Sequence, residues 1–269
     1  MTTSSAKNRW ALILGASSGF GAATSLELAK RGYHIAGVHL DRKATLGNVE
    51  QLVAQIKGLG RQAQFFNVNA ADAEKRKEVL DQLEPVVKAG SGEAPVGVMM
   101  HSLAFGSLKP YIHTDPKEAI NKDQMDMTMD VMANSLVYWA QDLFFRKLIS
   151  KGSRVFSMTS SGGTRVWPNY GAVSGAKAAL ESHTRQLALE LAPYGVAVNC
   201  VRAGVTDTPA LRKIPGSDQM IEFAKMRNPY HRLTTTDDVA RAIAMLCTDD
   251  ASWVTGNVIG VDGGEDVVG

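Results

Sequence analysis

The sequence predicts an α/β fold, doubly wound, in which helices cover both faces of a single parallel sheet of about seven strands. Short apolar runs alternate along the chain with longer amphipathic segments, a glycine-rich turn follows the first apolar run, and no repeat or change of composition divides the 269 residues. Alternation of strand and helix is typical of βαβ units, whose crossovers are right-handed.

Each strand candidate is a short apolar run bounded by polar or glycine-containing turns. The strand candidates are Trp10–Leu14, His34–His39, Gln62–Val68, Val96–His101, Arg154–Thr159, Val196–Val201 and Asn257–Val261. The intervening segments have helical length and helical spacing of apolar residues. They include Ala22–Arg31, Asn48–Gly58, Ala73–Lys88, Asp123–Phe145 and Gly171–Ala192.

Composition excludes several classes of protein. The 45% hydrophobic and 21% charged residues are ordinary for a globular domain, and 29 basic against 27 acidic residues give a net charge of +2, too balanced for a nucleic-acid-binding surface. Cys200 and Cys247 form neither a metal-binding spacing nor a disulfide framework, so no metal is expected. The polar stretch Met1–Arg9 predicts no secretory signal, and no apolar run reaches the roughly 18 residues of a membrane span. We therefore expect a cytoplasmic protein.

The chain is predicted to form one domain spanning residues 1–269. The short Gly- and Pro-containing segment Ala89–Pro95 is interpreted as a loop within it. Residues 209–232 contain Pro209, Pro215 and Pro229 and are long for a connection between a strand and a helix. Long connections of this kind are often functional, and we expect a substrate lid here.

The turn after the first strand has the spacing Gly-x3-Gly-x-Gly. Glycines at such a turn allow the backbone to approach a pyrophosphate, and the following helix offers N–H groups and the positive end of its dipole. The turn follows a strand and opens a helix, which is the context that supports a dinucleotide site. The residues expected to contact the cofactor are Gly15, Ser17, Ser18, Gly19, Phe20 and Gly21.

A tyrosine and a lysine follow the fifth strand. Tyr170 lies seven residues before Lys177. Seven residues make about two helical turns, so the two side chains share one face of a helix. A phenol and an ammonium on one face form a candidate proton donor beside a fixed positive charge.

These motifs resemble the short-chain dehydrogenase/reductase family over nearly the whole chain, with a Rossmann-type fold. Within that family, Tyr-x6-Lys resembles the enoyl-[acyl-carrier-protein] reductases, whereas most members have Tyr-x3-Lys and would place the tyrosine at Val173. The run His101-Ser102-Leu103-Ala104-Phe105 and the approach Arg165–Tyr170 are also similar to those enzymes. Ser160 replaces a second tyrosine of the best-known enoyl reductases. This serine, and the segment 209–232, are similar to an NADPH-dependent subgroup.

The resemblance implies roles for four catalytic residues. Tyr170 would stabilise the charge that develops on the thioester oxygen, and Lys177 would hold the nicotinamide ribose and favour the polarised phenol. Ser160 would support the same oxygen or a water. Asn134, within the predicted helix Asp123–Phe145, would anchor a water chain to the lysine.

The resemblance also implies further contacts to the cofactor. Asn67 and Val68 match a pair beside the adenine, Ser102 follows the fourth strand, and Gly204 leads to Thr208, which matches a threonine at the nicotinamide carboxamide.

The end of the second strand determines the nucleotide preference in such folds. His39 occupies the place where an acid would select NADH, and Arg42 and Lys43 follow it, which favours NADPH. Asp41 keeps NADH open as the alternative.

The resemblance implies reduction of the C=C bond of trans-2-enoyl thioesters in fatty acid biosynthesis, on acyl carrier protein or coenzyme A. The resemblance also implies a homodimer or homotetramer, because family members pair the helix that follows Tyr170 across a subunit interface, and small residues on this helix permit close approach. Basic residues in the lid offer a surface for an acidic carrier protein, namely Arg212, Lys213, Lys225 and Arg227. The alternatives are a ketone or hydroxysteroid oxidoreductase of the same family and a non-catalytic nucleotide-binding regulator. No nucleic acid or membrane partner is expected.

Overall fold

A computed structural model describes residues 8–90 and 94–268. Seven strands form one parallel sheet in the order β3-β2-β1-β4-β5-β6-β7. The strands are β1 (Trp10–Leu14), β2 (His34–His39), β3 (Ala63–Asn67), β4 (Val96–His101), β5 (Arg154–Ser160), β6 (Ala197–Ala203) and β7 (Val258–Val261). The predicted doubly wound α/β fold is confirmed.

The helices cover both faces of this sheet. They are α1 (Gly19–Lys30), α2 (Leu46–Gly58), α3 (Ala73–Gly90), α4 (Lys122–Met129), α5 (Ser135–Phe145), α6 (Gly171–Leu191), α7 (Ser217–Arg227) and α8 (Thr236–Leu246). Two buried apolar clusters, one on each face of the sheet, form the core between strands and helices. Within the described residues, no helix is long and apolar enough to cross a membrane.

The predicted bounds of β1, β2 and β4 agree with the structure, and the other strands differ by one or two residues at their ends. The helix expected over Asp123–Phe145 is interrupted by a π-helical turn, Asp130–Asn134, between α4 and α5. Residues 209–232 contain a 3₁₀ turn, Leu211–Lys213, and α7. The expectation for the N-terminal segment lies largely outside the described residues, as does part of the predicted loop Ala89–Pro95.

Parallel strands deliver their carboxyl ends to one edge of the sheet. The turns after β1, β4 and β5 meet there because β4 lies between β1 and β5 in the sheet. In open α/β sheets, ligands bind at this edge, where the chain reverses its direction of winding. The glycine-rich turn and the tyrosine–lysine pair are therefore brought to the same edge.

Candidate active site

The glycine-rich turn packs too tightly for any side chain at two of its glycines. A β-carbon on Gly21 would lie 2.0 Å from the carbonyl oxygen of Gly15, and one on Gly15 would lie 2.3 Å from the carbonyl oxygen of Ser102. Gly15 also has a φ of 84°, in the left-handed region that favours glycine. The turn brings the amino end of α1 close to Ser102, directly after β4. A ligand bound at this turn would therefore meet backbone groups rather than side chains.

Thr208 lies beside this turn. A β-carbon on Gly19 would be 3.6 Å from the Thr208 methyl group, and Thr208 is buried. The Thr208 hydroxyl accepts a hydrogen bond from the backbone N–H of Leu211 at 3.2 Å. The residue therefore caps the first turn of segment 209–232 and also contacts the predicted cofactor loop.

Asp41 forms a hydrogen-bond network at the end of β2 that was not predicted from the sequence. Its carboxylate lies 2.9 Å from His39 Nδ1 and accepts from the Thr45 hydroxyl at 2.6 Å. Its backbone N–H donates to Asn67 Oδ1 at 2.9 Å. Burial opposes ionisation, but hydrogen bonds from Thr45, Ser17 and His39 leave the pKa of Asp41 below its ordinary value. Asp41 is therefore a carboxylate at neutral pH, close to the glycine-rich turn.

Arg42 and Lys43 are exposed beside this network. Among the ion pairs found in residues 8–90 and 94–268, none involves either side chain. Two unpaired cations thus stand next to a carboxylate whose oxygens are already hydrogen-bonded within the protein.

Tyr170 is the N-cap of α6, and its carbonyl accepts the first helical hydrogen bond from Ser174 N–H at 2.8 Å. Asn169, directly before it, has a φ of 63°, a left-handed conformation that asparagine tolerates better than most residues. Burial raises the pKa of the Tyr170 phenol, and the Ser160 hydroxyl offsets part of this rise. Ser160 Oγ is itself buried without a hydrogen-bond partner of ordinary geometry. Tyr170 is therefore a protonated donor at neutral pH.

Lys177 is 6% exposed, and its Nζ donates to the carbonyl oxygen of Met158 in β5 at 2.6 Å. Burial lowers the pKa of Lys177 to about 8, against the opposing influence of Cys200 and Glu181. The ammonium is thus held near the end of β5, and the Lys177 side chain lies beside Gly163 while the Tyr170 ring lies beside Gly162. The predicted tyrosine–lysine pair and Ser160 meet at the end of β5.

Val173 occupies the position of the tyrosine in Tyr-x3-Lys members. It is 5% exposed, and a β-carbon on Gly106 would lie 2.9 Å from its methyl group. Val173 therefore packs against the loop after β4. Its apolar side chain cannot donate a proton, so no phenol stands four residues before the lysine.

Asn134 ends the π-helical turn, and its side-chain oxygen lies 3.2 Å from His183 Nε2. His183 is six residues further along α6 than Lys177. The Asn134 side chain thus contacts His183 rather than Lys177. The role of Asn134 as the anchor of a water chain stays a prediction. A π-helical turn at this point shifts the register of the helix, which periodicity in the sequence does not reveal.

The residues before Tyr170 are linked to segment 209–232, a contact that was not predicted from the sequence. The Trp167 indole donates to the carbonyl oxygen of Pro215 at 3.0 Å, and its ring packs against Gly216. Trp167, three residues before Tyr170, could have indicated such a contact. Its partner Pro215 could not be predicted, because it lies 48 residues away and is brought there by tertiary packing.

The basic residues of this segment are mostly neutralised within the protein. Arg212 pairs with Asp207 and Asp218 at 2.7 Å each. Lys225 pairs with Glu222 at 3.0 Å, and Arg227 approaches Glu265 at 3.5 Å. This pairing weakens the expected surface for an acidic carrier protein.

In the part of the chain that the structure describes, no group of three or more His, Cys, Asp or Glu residues is arranged to hold a metal ion. The polar groups that converge at the end of β5 are a phenol, an ammonium and a hydroxyl. Such groups transfer protons and bind hydroxyls, and redox chemistry at this site requires a cofactor.

The fold and this site define an oxidoreductase of the short-chain dehydrogenase/reductase type. Residues 15–265 match the family described as enoyl-(acyl carrier protein) reductase, and the chain belongs to that family. As a member, it binds a nicotinamide cofactor, and the tight Gly15–Gly21 turn fits the pyrophosphate of such a cofactor.

Three similar proteins illustrate the range of the family. The 1-cyclohexenylcarbonyl-CoA reductase of Streptomyces collinus is 31% identical over 262 residues, which cover 96% of this chain and 86% of that protein. The enoyl-[acyl-carrier-protein] reductase (NADH) of Aquifex aeolicus superposes with a TM-score of 0.81 at 24% identity, covering 98% of both chains. A short-chain dehydrogenase of Burkholderia cenocepacia in complex with NADP has a TM-score of 0.79 at 25% identity and covers 97% of this chain and 98% of its own.

Proposed function

We propose that this protein reduces the C=C bond of a trans-2-enoyl thioester. The observation that carries the proposal is the position of Tyr170. Among the described residues of α6 and its N-cap, it is the only tyrosine, and so the only phenol that can act together with Lys177. Tyr170 lies two turns before Lys177, and the intervening turn presents buried Val173. The similar coenzyme A thioester reductase from Streptomyces collinus supports a thioester substrate.

The chain's own residues would act as follows. When bound, the cofactor supplies the hydride that adds to the β-carbon of the enoyl thioester. Negative charge then develops on the thioester oxygen, where Tyr170 donates a hydrogen bond and Ser160, whose buried hydroxyl also influences the Tyr170 phenol, offers a second hydroxyl. Lys177 holds the nicotinamide ribose and favours the polarised phenol. A proton from solvent then adds to the α-carbon as the thioester carbonyl re-forms, and the saturated thioester leaves.

The regiochemistry of the product tests this proposal. With cofactor deuterated at the transferred position of C4 and crotonyl-coenzyme A, we expect butyryl-coenzyme A with one deuterium at C3. Mass spectrometry and NMR of the product locate the label. A product that retains the double bond and carries deuterium elsewhere would overturn the assignment.

We propose NADPH as the preferred cofactor. Arg42 and Lys43 are exposed and unpaired, whereas the Asp41 carboxylate already accepts from Thr45. A 2′-phosphate would meet the two cations, while a ribose 2′-hydroxyl would have to compete with Thr45 for Asp41.

Replacing both Arg42 and Lys43 by Ala should raise the KM for NADPH by about tenfold or more and leave the KM for NADH nearly unchanged. Steady-state kinetics with each cofactor measure the two values. Lys57→Ala, at an exposed position on α2, is the matched control for loss of surface charge. A higher kcat/KM for NADH than for NADPH in the unmodified protein would refute the preference and point to Asp41 as the selecting residue.

We further propose that segment 209–232 closes over the acyl chain, because Trp167 ties its middle to the approach of Tyr170. Coenzyme A thioesters are the favoured form of the substrate, since most basic residues of this segment are paired internally.

Gly175 on α6 faces open space, which suits close approach of a second copy in a dimer or tetramer.

A further inference from the structure

The chain that leads into segment 209–232 and the helix near the end of that segment meet at one buried carboxylate. Glu265, in the turn after β7, is 3% exposed. Its Oε2 accepts from the backbone N–H of Val205, just past the end of β6, at 3.1 Å. Its Oε1 lies 3.5 Å from Nη2 of Arg227, the last residue of α7. One side chain therefore joins the two sides of the segment at its base.

The turn that carries Glu265 is itself anchored to the sheet. The next residue, Asp266, pairs with Arg202 of β6 at 3.2 Å and with Arg165 at 3.0 Å. The backbone N–H of Asp266 donates to Asp262 Oδ2 at 3.2 Å. The turn is thus fixed to the end of β6, so Glu265 offers α7 a fixed point of attachment.

The base of the segment is closely packed around this carboxylate. Asn228, directly after α7, is 2% exposed, and its Nδ2 donates to the carbonyl oxygen of Asp262 at 2.8 Å. A β-carbon on Gly204 would lie 2.4 Å from Thr234 Oγ1 and 3.0 Å from the α-carbon of Asp262. A neutral amide of the same size at position 265 would fill the same space, so packing alone does not require the charge of Glu265.

The charge of Glu265 is unfavourable at this position. Burial raises the pKa of its carboxyl, the Val205 N–H and Arg227 offset part of this rise, and the charges of Asp262 and Asp266 add to it. The ionised form is therefore less stable in the folded than in the unfolded protein, and the stability that the protonated form provides at low pH is lost as pH rises. A charge kept at such a position points to a role other than stability.

We propose that Glu265 is a positioning residue for segment 209–232, whose carboxylate, paired with Arg227, holds α7 against the end of β6 in the arrangement that receives the acyl chain. Loss of the charge would release α7, so that a smaller fraction of molecules is ready to bind substrate. The proton donor and the lysine on α6 would be unaffected. This inference rests on the proposed role of the segment as a substrate lid, but not on which bond of the substrate is reduced.

Two substitutions separate the two carboxylate oxygens. Glu265→Gln keeps an acceptor for the Val205 N–H and removes the charge that pairs with Arg227, whereas Glu265→Ala removes both contacts. Val205 leads to Thr208, which lies beside Gly19 of the glycine-rich turn. Glu265→Ala should therefore weaken cofactor binding as well, and Glu265→Gln should leave it unchanged.

Steady-state kinetics with crotonyl-coenzyme A give the first measurement. In Glu265→Gln we expect KM to rise about tenfold, between the small effect of a surface ion pair and the larger effect of a fully buried one, with kcat nearly unchanged. Arg227→Met should have a similar effect, and the double variant should be no worse than either single variant, as expected for two residues that act on each other. Glu78→Gln, which breaks an exposed ion pair with Lys75 on α3, is the matched control.

Hydrogen exchange and thermal unfolding give a second measurement that needs no turnover. In Glu265→Gln, exchange at the backbone amides of residues 209–227 should be faster than in the unmodified protein, while amides of the sheet are unchanged. The Tm should be equal or higher, because glutamine fills the same space without a buried charge. A merely structural role for Glu265 predicts a lower Tm and faster exchange throughout the protein, with no selective effect on KM.

An unchanged KM in both Glu265→Gln and Arg227→Met would overturn the proposal, and so would additive effects in the double variant or a loss of Tm with general exchange. If Glu265→Ala fails to fold, Glu265→Gln still decides, because it keeps the bond to Val205. Turnover of acetoacetyl- but not crotonyl-coenzyme A, with the same rise in KM for the substrate that is reduced, would overturn the proposed reaction and leave the role of Glu265 intact.

Discussion

Replacement of Tyr170 by Phe is expected to lower kcat by about 100- to 10,000-fold, the usual contribution of a positioned proton donor. The ring would still pack against Gly162, where a β-carbon would lie 2.5 Å from it, so the substitution removes the hydroxyl and little else. Because burial raises the pKa of this phenol, the unmodified side chain is protonated and able to donate at neutral pH.

The loss should fall on turnover rather than on cofactor binding, since Lys177 rather than Tyr170 is assigned to the ribose. Stopped-flow or steady-state rates give kcat, and quenching of protein fluorescence gives cofactor affinity. Tyr194→Phe, at a 52% exposed tyrosine just past the end of α6, is the matched control and should leave both values unchanged. Full activity in Tyr170→Phe would remove this residue from the catalytic assignment.

The second large effect concerns the choice between a double bond and a ketone. Lys177 fixes the ribose and so fixes where the hydride starts. In a ketone, the oxygen that needs a proton is bonded to the carbon that takes the hydride, and the donor must stand near the lysine. In an enoyl thioester, the charged oxygen is two carbons further away, and the donor must stand correspondingly further out.

The structure of α6 agrees with the longer distance. A tyrosine moved from four to seven residues before the lysine shifts by about 4.5 Å along a helix that rises 1.5 Å per residue. The helix begins at Gly171, and Tyr170 is its N-cap, with a non-helical φ of −95° and ψ of 0°. The direction of the shift, toward the amino end of α6, therefore holds, whereas the figure of about 4.5 Å applies to an ideal helix. The nearer position holds Val173, buried and unable to donate.

We therefore expect kcat/KM for crotonyl-coenzyme A to exceed that for acetoacetyl-coenzyme A by at least about 100-fold, or about 2.7 kcal/mol of transition-state discrimination. The alternative within the family, a ketone or hydroxysteroid oxidoreductase, predicts the opposite order. A non-catalytic regulator predicts no turnover of either substrate.

Much of this arrangement follows from local sequence. Strand bounds could be predicted because the apolar runs of β1, β2 and β4 end sharply at turn residues. The shared face of Tyr170 and Lys177 stays a prediction from helical periodicity, and the glycine-rich turn could be predicted from its position between a strand and a helix. Such features depend on residues close together in the chain, where spacing determines geometry.

The remaining features depend on contacts between distant segments. The network of Asp41 joins the ends of two strands, and the bond from Trp167 to Pro215 spans 48 residues. The contact of Asn134 with His183 depends on a π-helical turn, and His101 contacts a serine 34 residues away. Tertiary packing sets these partners, so neither composition nor spacing predicts them.

Reduction of a C=C bond conjugated to a thioester at this site can be tested by competition between two substrates in a single vessel. Equal concentrations of crotonyl- and acetoacetyl-coenzyme A are incubated with the enzyme and limiting NADPH, and the two products are quantified by mass spectrometry. Their ratio at low conversion equals the ratio of kcat/KM values, free of differences in enzyme concentration. The geometry of Tyr170, Val173 and Lys177 predicts at least about 100 parts of butyryl- to one of 3-hydroxybutyryl-coenzyme A. Equal amounts, or an excess of the hydroxy product, would contradict it.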